Sequence, residues 1–356
     1  MIVETRAPGK LILLGEYAVL EHAPALVMAV DRYATVRINP LPNRFHRLHS
    51  PTLNLSGLNF QFDANGQINF RDDVPAETRQ QLRFFTHTLE LTRGANPKGF
   101  STGALEFVLN TDSFFLQPGG SKLGLGSSAA LTVALTTALF FVMEQGNGEM
   151  LEKFVLLKKA QNIHHQAQEK KGSGIDIAAS VFGGVLTFRI AGNSGSVPEI
   201  SPTLFPPDLH LIPVWSGKSA STGGFIKKTV TLKQENPEKY WQSMNELIHL
   251  TRKGCTAFQA GETEQFLKAC RLYSAALDHF GKSCQAEIIS PEHREIAGIV
   301  EKHGGVYKPS GAGGGDIGIA LTRSEEVAEK IITEILHSPY KIIKLSPSPN
   351  GVSLRK

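Results

Sequence analysis

Cysteine is scarce in this sequence of 356 residues. The three thiols, Cys255, Cys270 and Cys284, form neither a Cys-x-x-Cys pair nor an even-numbered set. This spacing excludes the disulfide framework that small secreted domains use, and it favours a reducing compartment.

Long apolar runs are also missing. The longest, Ala129 to Met143, has 15 residues and includes three threonines, whereas a helix needs about 20 apolar residues to span a bilayer. The first twenty residues contain Glu4, Arg6, Lys10 and Glu16 among the apolar ones, which argues against a secretory signal. We therefore expect a cytoplasmic protein that makes no membrane contact.

Charge of one sign is not concentrated anywhere. The chain has 37 Lys and Arg against 33 Asp and Glu, a formal net charge of +4, and no run of five or more basic residues. Nucleic acid is therefore not an expected partner. A hydrophobic content of 41% and a charged content of 20% are ordinary for a globular protein, and this length suits two domains.

Turn residues and apolar periodicity divide the chain into strands and helices. Residues 2–39 have a β pattern, and the segment 53–70 resembles a hairpin region. The other periodic segments predict helices over 76–93, 127–144, 149–170 and 324–336, several helices between 236 and 303, and strands over 103–109, 184–190, 209–215 and 317–322. This order indicates an α+β fold.

A change of composition marks the predicted domain boundary. Residues 191–208 contain Gly, Asn, Ser and four prolines, which is typical of a joint between domains. We expect one domain over 1–200 and a second over 201–356.

A glycine-rich loop at 118–128 runs directly into an Ala-rich helix. Backbone N–H groups in such a loop, with the positive end of the helix dipole behind it, form an anion site. The Walker pattern and the Rossmann glycine pattern are both absent, so a nucleotide would be held in a different way. A tight connection is the alternative, but the number of glycines and the paired serines favour a phosphate. Its candidate residues are Pro118, Gly119, Gly120, Lys122, Gly124, Leu125, Gly126, Ser127, Ser128 and Ala129.

Two charged residues stand out elsewhere in the first half. Lys10 lies in an apolar strand after a Pro-Gly turn, where it needs an anionic partner or a path to water, and the sequence alone favours neither. Asp176 follows a Gly-Ser-Gly turn at a predicted helix start, where an ordinary N-cap is the alternative role. His164 and His165 lack the companions of a zinc site, so packed or solvated histidines are favoured.

Two loops in the second half carry small donors. One contains Lys218, Ser219, Ser221 and Thr222, which suit oxyanions, and the other is the glycine-rich segment 308–316. Flexibility alone would explain the glycines about as well.

The order of these segments resembles that of the GHMP small-molecule kinases. Three strings carry the resemblance across most of the chain, Ala-Pro-Gly-Lys at 7–10, Gly-Leu-Gly-Ser-Ser-Ala-Ala at 124–130 and Ser-Gly-Ala-Gly-Gly-Gly-Asp at 310–316. Within that superfamily, the strings at 15–20, 165–176 and 216–222 are similar to those of the phosphomevalonate kinases.

The resemblance implies a two-domain fold, with a ribosomal-protein-S5-like N-terminal domain that binds ATP and a ferredoxin-like C-terminal domain that completes the acceptor site. It also implies an ATP- and Mg²⁺-dependent transfer of a phosphoryl group to 5-phosphomevalonate. A homodimer and a monomer both remain open.

The resemblance assigns roles to individual residues. Lys10 would bridge acceptor and γ-phosphate, Asp176 would orient Lys10, and Ser128 would hold Mg²⁺. The residues 118–129 listed above would cradle ATP. The acceptor would be bound by Lys10, Glu16, Tyr17, Ser173, Gly174, Lys218, Ser219, Ala220, Ser221, Thr222, Ser310, Gly311, Ala312 and Gly313.

Two alternatives remain open. Mevalonate kinases resemble this chain in the glycine loop, but they tend to carry a metal-binding Glu eleven residues before the catalytic Asp, where this chain has His165. A kinase of another small alcohol belongs to the same alternative. A sensor that binds ATP without chemistry is less favoured, because Lys10 and Asp176 are both present.

Overall fold

The computed structural model describes residues 2–96, 103–117, 120–143, 151–168, 172–192, 197–219 and 222–355. Its strands are β1 Val3–Leu14, β2 Ala25–Leu41, β3 His46–Ser50, β4 Leu55–Phe62, β5 Ile68–Phe70, β6 Ala104–Asn110, β7 Val185–Arg189, β8 Glu199–Thr203, β9 His210–Trp215, β10 Val306–Pro309, β11 Ile317–Thr322, β12 Lys341–Ile342 and β13 Ser353–Arg355. Its α-helices are α1 Ala76–Gln81, α2 Arg83–Ala95, α3 Ser127–Met143, α4 Lys153–Gln168, α5 Ile175–Phe182, α6 Thr222–Glu235, α7 Pro237–Gln259, α8 Thr263–Ser283, α9 Pro291–Lys302 and α10 Glu325–Leu336.

The first sheet is built around the antiparallel pair β1 and β2. Its strand order is β13-β1-β2-β6-β3-β4-β5, and β7 pairs with the first part of β2 and with β8. All pairs are antiparallel except β3 with β6. The pairing of β1 with β2 is irregular after Pro8, which places a break in the ladder two residues before Lys10.

Helix α3 lies against β1 and β2 and is apolar on nearly every side. Most of its residues from Ala129 to Leu139 are fully buried, as expected for a helix without a polar face. Its small residues allow close approach to the sheet, where the Thr5 hydroxyl donates to the Ala134 carbonyl at 2.8 Å. This packing fixes the start of α3, and with it the glycine loop, next to β1.

The second sheet has the order β10-β11-β9-β12 and is wholly antiparallel. Helices α9 and α10 bury one face of it through a compact apolar cluster that includes Ile212, Val214, Ile296, Val300 and Ile331. The ends of β10 and β11 flank the segment 310–316, so this sheet presents the second glycine loop to the first sheet.

Helices α7 and α8 form an antiparallel pair that joins the two sheets. Their apolar residues, among them Leu247, Phe258 and Phe280, belong to the same continuous core as the first sheet. Gly254 on α7 lies so close to β1 that a Cβ there would be 2.3 Å from Leu14 Cδ2. After β12 in the second sheet the chain returns to the first, where β13 pairs with Glu4–Arg6 of β1.

Most predicted elements are confirmed, and several differ. The helix predicted over 76–93 is two helices that meet at Leu82, and α6 was not predicted. Lys308, expected in a loop, lies in β10. The domain boundary at residue 200 stays a prediction, and β8 runs across it.

In the described part of the chain, no helix is both long and apolar enough to cross a membrane. All three cysteines are buried free thiols, in agreement with the absence of a disulfide framework from the sequence.

Candidate active site

The glycine loop is described from Gly120 onward, while the predicted ligands Pro118 and Gly119 lie outside the described residues. Gly124 and Gly126 adopt φ of 74° and 80°, in the left-handed region that favours glycine. The next residue, Ser127, begins α3. The first N–H groups of an α-helix have no partner within it, so Ser127, Ser128 and Ala129 present donors at the end of the loop, as an anion site requires.

Lys10 lies beside this loop. Its backbone N–H donates to the Leu125 carbonyl at 2.8 Å, and its ammonium donates to the Gly124 carbonyl at 3.0 Å. A Cβ on Gly126 would be 3.1 Å from Lys10 Cγ, so this glycine lets the side chain lie along the loop. Lys10 is therefore a partly buried cation at the phosphate loop rather than an edge lysine that reaches water.

Asp176 lies close to the same point. It lies in the first turn of α5 after Gly174, which has φ of 77°, and its Oδ1 accepts the Ile177 N–H at 2.9 Å. A Cβ on Gly126 would be 3.9 Å from Asp176 Cβ, so Gly126 adjoins both Lys10 and Asp176. The Ser180 hydroxyl fastens α5 to β1 by donating to the Pro8 carbonyl at 2.7 Å.

Burial and the neighbouring charges shift the pKa of Lys10. Burial lowers the pKa of the Lys10 ammonium, and the carboxylates of Asp176, Asp316 and Glu16 oppose that shift in this order. Lys308 adds to the lowering. Three carboxylates thus lie near the Lys10 ammonium, and one of them, Asp316, was not among the site residues predicted from the sequence.

The second glycine loop closes over Lys10 from the second sheet. Ser310 Oγ accepts the Ile12 N–H at 3.0 Å and donates to the Ile12 carbonyl at 2.9 Å. Its side chain therefore makes the two bonds to the β1 backbone that a neighbouring strand would make. A Cβ on Gly311 would be 3.9 Å from Lys10 Nζ. The Tyr17 hydroxyl donates to the Ala312 carbonyl, and Gly313 packs on the Ile288 carbonyl so closely that a Cβ would be 2.2 Å away.

Glu16 and Lys308 form a buried ion pair beneath that loop. The Lys308 side chain is 0% exposed and that of Glu16 is 2% exposed. Lys308 Nζ donates to Glu16 Oε1 and also to the Pro309 carbonyl at 2.7 Å, while the Gly311 N–H donates to Glu16 Oε1 at 3.4 Å. The structure thus gives Glu16 a partner within the protein, and its predicted contact with the acceptor stays a prediction.

The segment 216–219 reaches the glycine loop of the first sheet. The Asp316 N–H donates to the Lys218 carbonyl at 2.7 Å and the Ser216 N–H donates to the Asp316 carbonyl at 2.9 Å. The Ser219 hydroxyl donates to the Lys122 carbonyl at 3.4 Å. Lys218 and Lys122 therefore lie on adjoining loops, and Lys218 is also 3.9 Å from Glu292. Thr222 begins α6, whereas Ala220 and Ser221 lie outside the described residues.

Ser128, the predicted Mg²⁺ ligand, hydrogen-bonds His164 on α4, with 3.1 Å between the hydroxyl and Nε2. His164 is buried and stacks on Phe84 with ring centroids 5.1 Å apart. Burial lowers its pKa, and the Asp176 carboxylate opposes part of that shift. His164 is thus a packed histidine, as predicted, with an added role in orienting the Ser128 hydroxyl that sequence reasoning missed.

Mg²⁺ fits this donor set. Mg²⁺ usually retains waters and binds through substrate phosphates with few protein oxygens. A hydroxyl at a helix start beside a phosphate loop meets that need. Within the described residues, no cluster of three or more His, Cys, Asp or Glu could form a protein cage for a metal.

A cavity of about 600 Å³ opens beside Ser173, the predicted acceptor residue that precedes Asp176 by three positions. Its wall includes Gln161 and His165 of α4 and Ile226 and Lys233 of α6. Glu21 is also part of the wall, and its Oε1 accepts from Lys233 Nζ at 2.6 Å and from the Tyr240 hydroxyl at 2.7 Å.

Two protein-family models match this chain in the regions that contain these loops. Residues 117–184 match the N-terminal domain of GHMP kinases, and residues 256–342 match their C-terminal domain. The chain belongs to the GHMP kinase family. The first match contains the glycine loop and Asp176, and the second contains the loop 310–316.

Individual relatives show which kinases of this family the chain resembles. A phosphomevalonate kinase from Streptomyces sp. (strain CL190) is 27% identical, over 92% of this chain and 91% of the relative. A mevalonate kinase from Arabidopsis thaliana is 24% identical, over 99% of this chain and 100% of the relative. The structure of Streptococcus pneumoniae phosphomevalonate kinase in complex with phosphomevalonate and AMPPNP shares the fold, with a TM-score of 0.75, 18% identity and coverage of 98% and 99%. These relatives thus share kinase activity and the mevalonate pathway, but they differ in the acceptor, which is phosphomevalonate for two of them and mevalonate for the third.

Proposed function

We propose that this GHMP kinase transfers the γ-phosphoryl group of ATP to the phosphate of 5-phosphomevalonate, giving 5-diphosphomevalonate and ADP. The observation that carries the proposal is the meeting of two anion-binding segments at one point. The glycine loop with Lys122 and the segment with Lys218 are joined by the bond from Ser219 to the Lys122 carbonyl. Cations on both loops suit a reaction in which donor and acceptor are both phosphates.

Lys10 neutralises charge between the two phosphates. Its ammonium lies at the Gly124 carbonyl, within the glycine loop, and beside Gly311 of the second loop. Phosphoryl transfer requires mainly positioning and stabilisation of charge on the transferred group. A cation held between donor and acceptor supplies both.

Asp176 orients Lys10 rather than removing a proton. A phosphate monoester has a second pKa of about 6, so at neutral pH the acceptor is already mostly the dianionic nucleophile. Asp176 and Lys10 both adjoin Gly126, and the Asp176 carboxylate opposes the lowering of the Lys10 pKa, so it is placed to direct the ammonium.

Mg²⁺, when bound with ATP, neutralises phosphate charge. The Ser128 hydroxyl would hold it, with its direction set by His164. The unpaired N–H groups at the start of α3 would receive the ATP phosphates. On this proposal the segment 1–200 binds ATP and the segment 201–356 completes the acceptor site.

The cavity beside Ser173 would receive the carbon skeleton of the acceptor. Its volume of about 600 Å³ exceeds the need of a small branched acid, and its wall combines apolar Ile226 with polar Gln161 and His165. Such a mixture suits an acceptor with a methyl group, a hydroxyl and a carboxylate.

Mevalonate is the second candidate acceptor, and the similarity to plant mevalonate kinase favours it. An alcohol acceptor must lose a proton during transfer, so a base is needed. His165, which lies eleven residues before Asp176, occupies the position where the family resemblance expects an acidic metal ligand in mevalonate kinases. The chain therefore fits a phosphate acceptor better.

Steady-state ADP release tests the proposal. The purified protein is incubated with Mg-ATP and either 5-phosphomevalonate or mevalonate, and the product is identified by ³¹P NMR. We expect turnover with 5-phosphomevalonate and a new diphosphate signal. Turnover with mevalonate alone, and a new phosphomonoester signal, would overturn the assignment.

A further inference from the structure

His293 is a buried histidine in the first turn of α9 that the proposed chemistry does not use. It is 0% exposed, and each of its ring nitrogens has a partner. Nδ1 lies 2.8 Å from the Tyr307 hydroxyl, and Nε2 lies 2.9 Å from the Gly315 carbonyl oxygen. Because a buried polar ring is costly unless both nitrogens are hydrogen-bonded, these two partners fix where the ring lies.

The partners also fix the tautomer of the imidazole. Burial lowers the pKa of His293 to about 4, so at neutral pH the ring is uncharged and has one N–H. A carbonyl oxygen can only accept, so this N–H is on Nε2 and donates to Gly315, while Nδ1 accepts the Tyr307 hydroxyl. The bonds therefore run in one direction, from Tyr307 through His293 to the backbone of the second glycine loop.

The Gly315 carbonyl belongs to the same peptide group as the Asp316 N–H. That N–H donates to the Lys218 carbonyl at 2.7 Å, and the Asp316 carbonyl accepts the Ser216 N–H at 2.9 Å. Because a peptide group is planar, the bond from His293 to its carbonyl also sets the direction of its N–H. His293 therefore orients the peptide group to which the Lys218 backbone is bonded.

The side chain of Lys218 faces the same turn of α9. Its ammonium is 3.9 Å from the carboxylate of Glu292, the residue that precedes His293. A lysine side chain is long and flexible, so the position of its ammonium depends on its backbone and on its partner. The start of α9 acts on both, through the peptide group held by His293 and through Glu292.

We propose that His293 is a positioning residue for the acceptor, which places Lys218 at the acceptor phosphate by orienting the peptide group between Gly315 and Asp316. The inference rests on the role proposed above for the segment that contains Lys218. Because its ring is fully buried, His293 acts through this backbone rather than on the substrate itself.

Two amide variants separate the two bonds of His293. Gln reaches as far as Nε2 and can still donate to the Gly315 carbonyl, whereas Asn reaches only as far as Nδ1 and can still accept from Tyr307. His293→Asn should therefore lower kcat/KM for 5-phosphomevalonate by about 10- to 100-fold, the effect of a misplaced binding group, and leave the KM for ATP unchanged. His293→Gln should keep most of the activity.

Tyr340→Phe is the matched control on the same helix. The buried Tyr340 hydroxyl donates to Glu295, two residues after His293. This variant weakens the attachment of α9 without removing the bond to Gly315. It should lower the thermal midpoint, as His293→Asn does, and leave kcat/KM unchanged for both substrates.

Hydrogen–deuterium exchange in the protein without substrate gives a readout that does not depend on the acceptor. The Asp316 and Ser216 amides form the bonds between the two loops, so their exchange rates, resolved by fragmentation mass spectrometry, report on the orientation of this peptide group. We expect both amides to exchange several-fold faster in His293→Asn than in the wild type, and at unchanged rates in Tyr340→Phe.

Tyr307→Phe perturbs the same ring more gently. It removes the hydroxyl at Nδ1 and leaves the bond to Gly315, so exchange at Asp316 should rise by a smaller factor. This second variant decides the matter if His293→Asn is too unstable to assay.

The outcomes separate the two proposals. Wild-type protein that does not turn over 5-phosphomevalonate would refute the proposed function, and the exchange rates would still decide whether His293 orients the peptide group. Unchanged kcat/KM in His293→Asn, an equal loss in His293→Gln, or an equal rise in the KM for ATP would overturn the role of His293. Unchanged exchange at Asp316 in both His293→Asn and Tyr307→Phe would also overturn it.

Discussion

Removal of the Lys308 side chain should destabilise the protein strongly. In Lys308→Met, the buried Glu16 carboxylate loses its cation, and only the Gly311 N–H at 3.4 Å remains as a donor to Oε1. The other oxygen, Oε2, already has no hydrogen-bond partner among the described residues. The remaining charge would thus be buried almost without compensation.

The expected loss of unfolding free energy is about 3–5 kcal/mol, the range measured when one partner of a buried ion pair is removed. The upper part of that range is favoured because the two side chains are only 0% and 2% exposed. Replacing both partners with apolar residues should cost far less, since no unpaired charge remains. We therefore expect Glu16→Leu/Lys308→Met to lie within about 1–2 kcal/mol of the wild type.

Urea unfolding followed by tryptophan fluorescence measures these differences, since buried Trp215 lies on β9 of the second sheet. The double-mutant cycle gives the coupling between the two residues. A loss below about 1 kcal/mol in Lys308→Met, or a double variant that loses as much as both single variants together, would refute the reasoning.

Two further predictions concern catalysis and pH. Lys10→Met should lower turnover by about 10²–10³-fold with a nearly unchanged KM for ATP, because it removes transition-state charge stabilisation. Asp176→Asn should have a milder effect. If steady-state kinetics showed complete loss of activity in Asp176→Asn, base catalysis and hence an alcohol acceptor would be indicated. Burial lowers the pKa of His293 to about 4 in the folded protein, against about 6.5 when unfolded, so the unfolded state binds more protons between these values. The free energy of unfolding should therefore fall by about 3 kcal/mol as pH decreases from 6.5 to 4, and urea midpoints across this range should show a shallower dependence in His293→Gln.

The local parts of the site could be predicted from the sequence. The glycine loop, Lys10 in its strand and Asp176 at a helix start each depend on residues within about one turn or one strand, where glycine conformation and helix termini impose strong patterns. The structure gives each of these residues the predicted element and brings Lys10 and Asp176 together at Gly126. Their catalytic roles stay predictions.

The long-range partners could not be predicted in this way. Glu16 and Lys308 are 292 residues apart, and no periodicity in either segment indicates that they meet. His164 and Ser128 likewise come together only because α3 and α4 pack side by side. Asp316 carried one available signal, since it ends a run of three glycines, but its contact with Gly124 follows from the approach of the two sheets.

The pairing of β13 with β1 has a consequence for synthesis of the chain. Residues 353–355 supply the outer neighbour of Glu4–Arg6, on the strand that also carries Lys10. During translation that stretch of β1 lacks its outer partner, and keeps unpaired backbone groups on that side, until residues 353–355 have also been synthesised. The strand that carries Lys10 is therefore completed by backbone bonds that form long after its own synthesis.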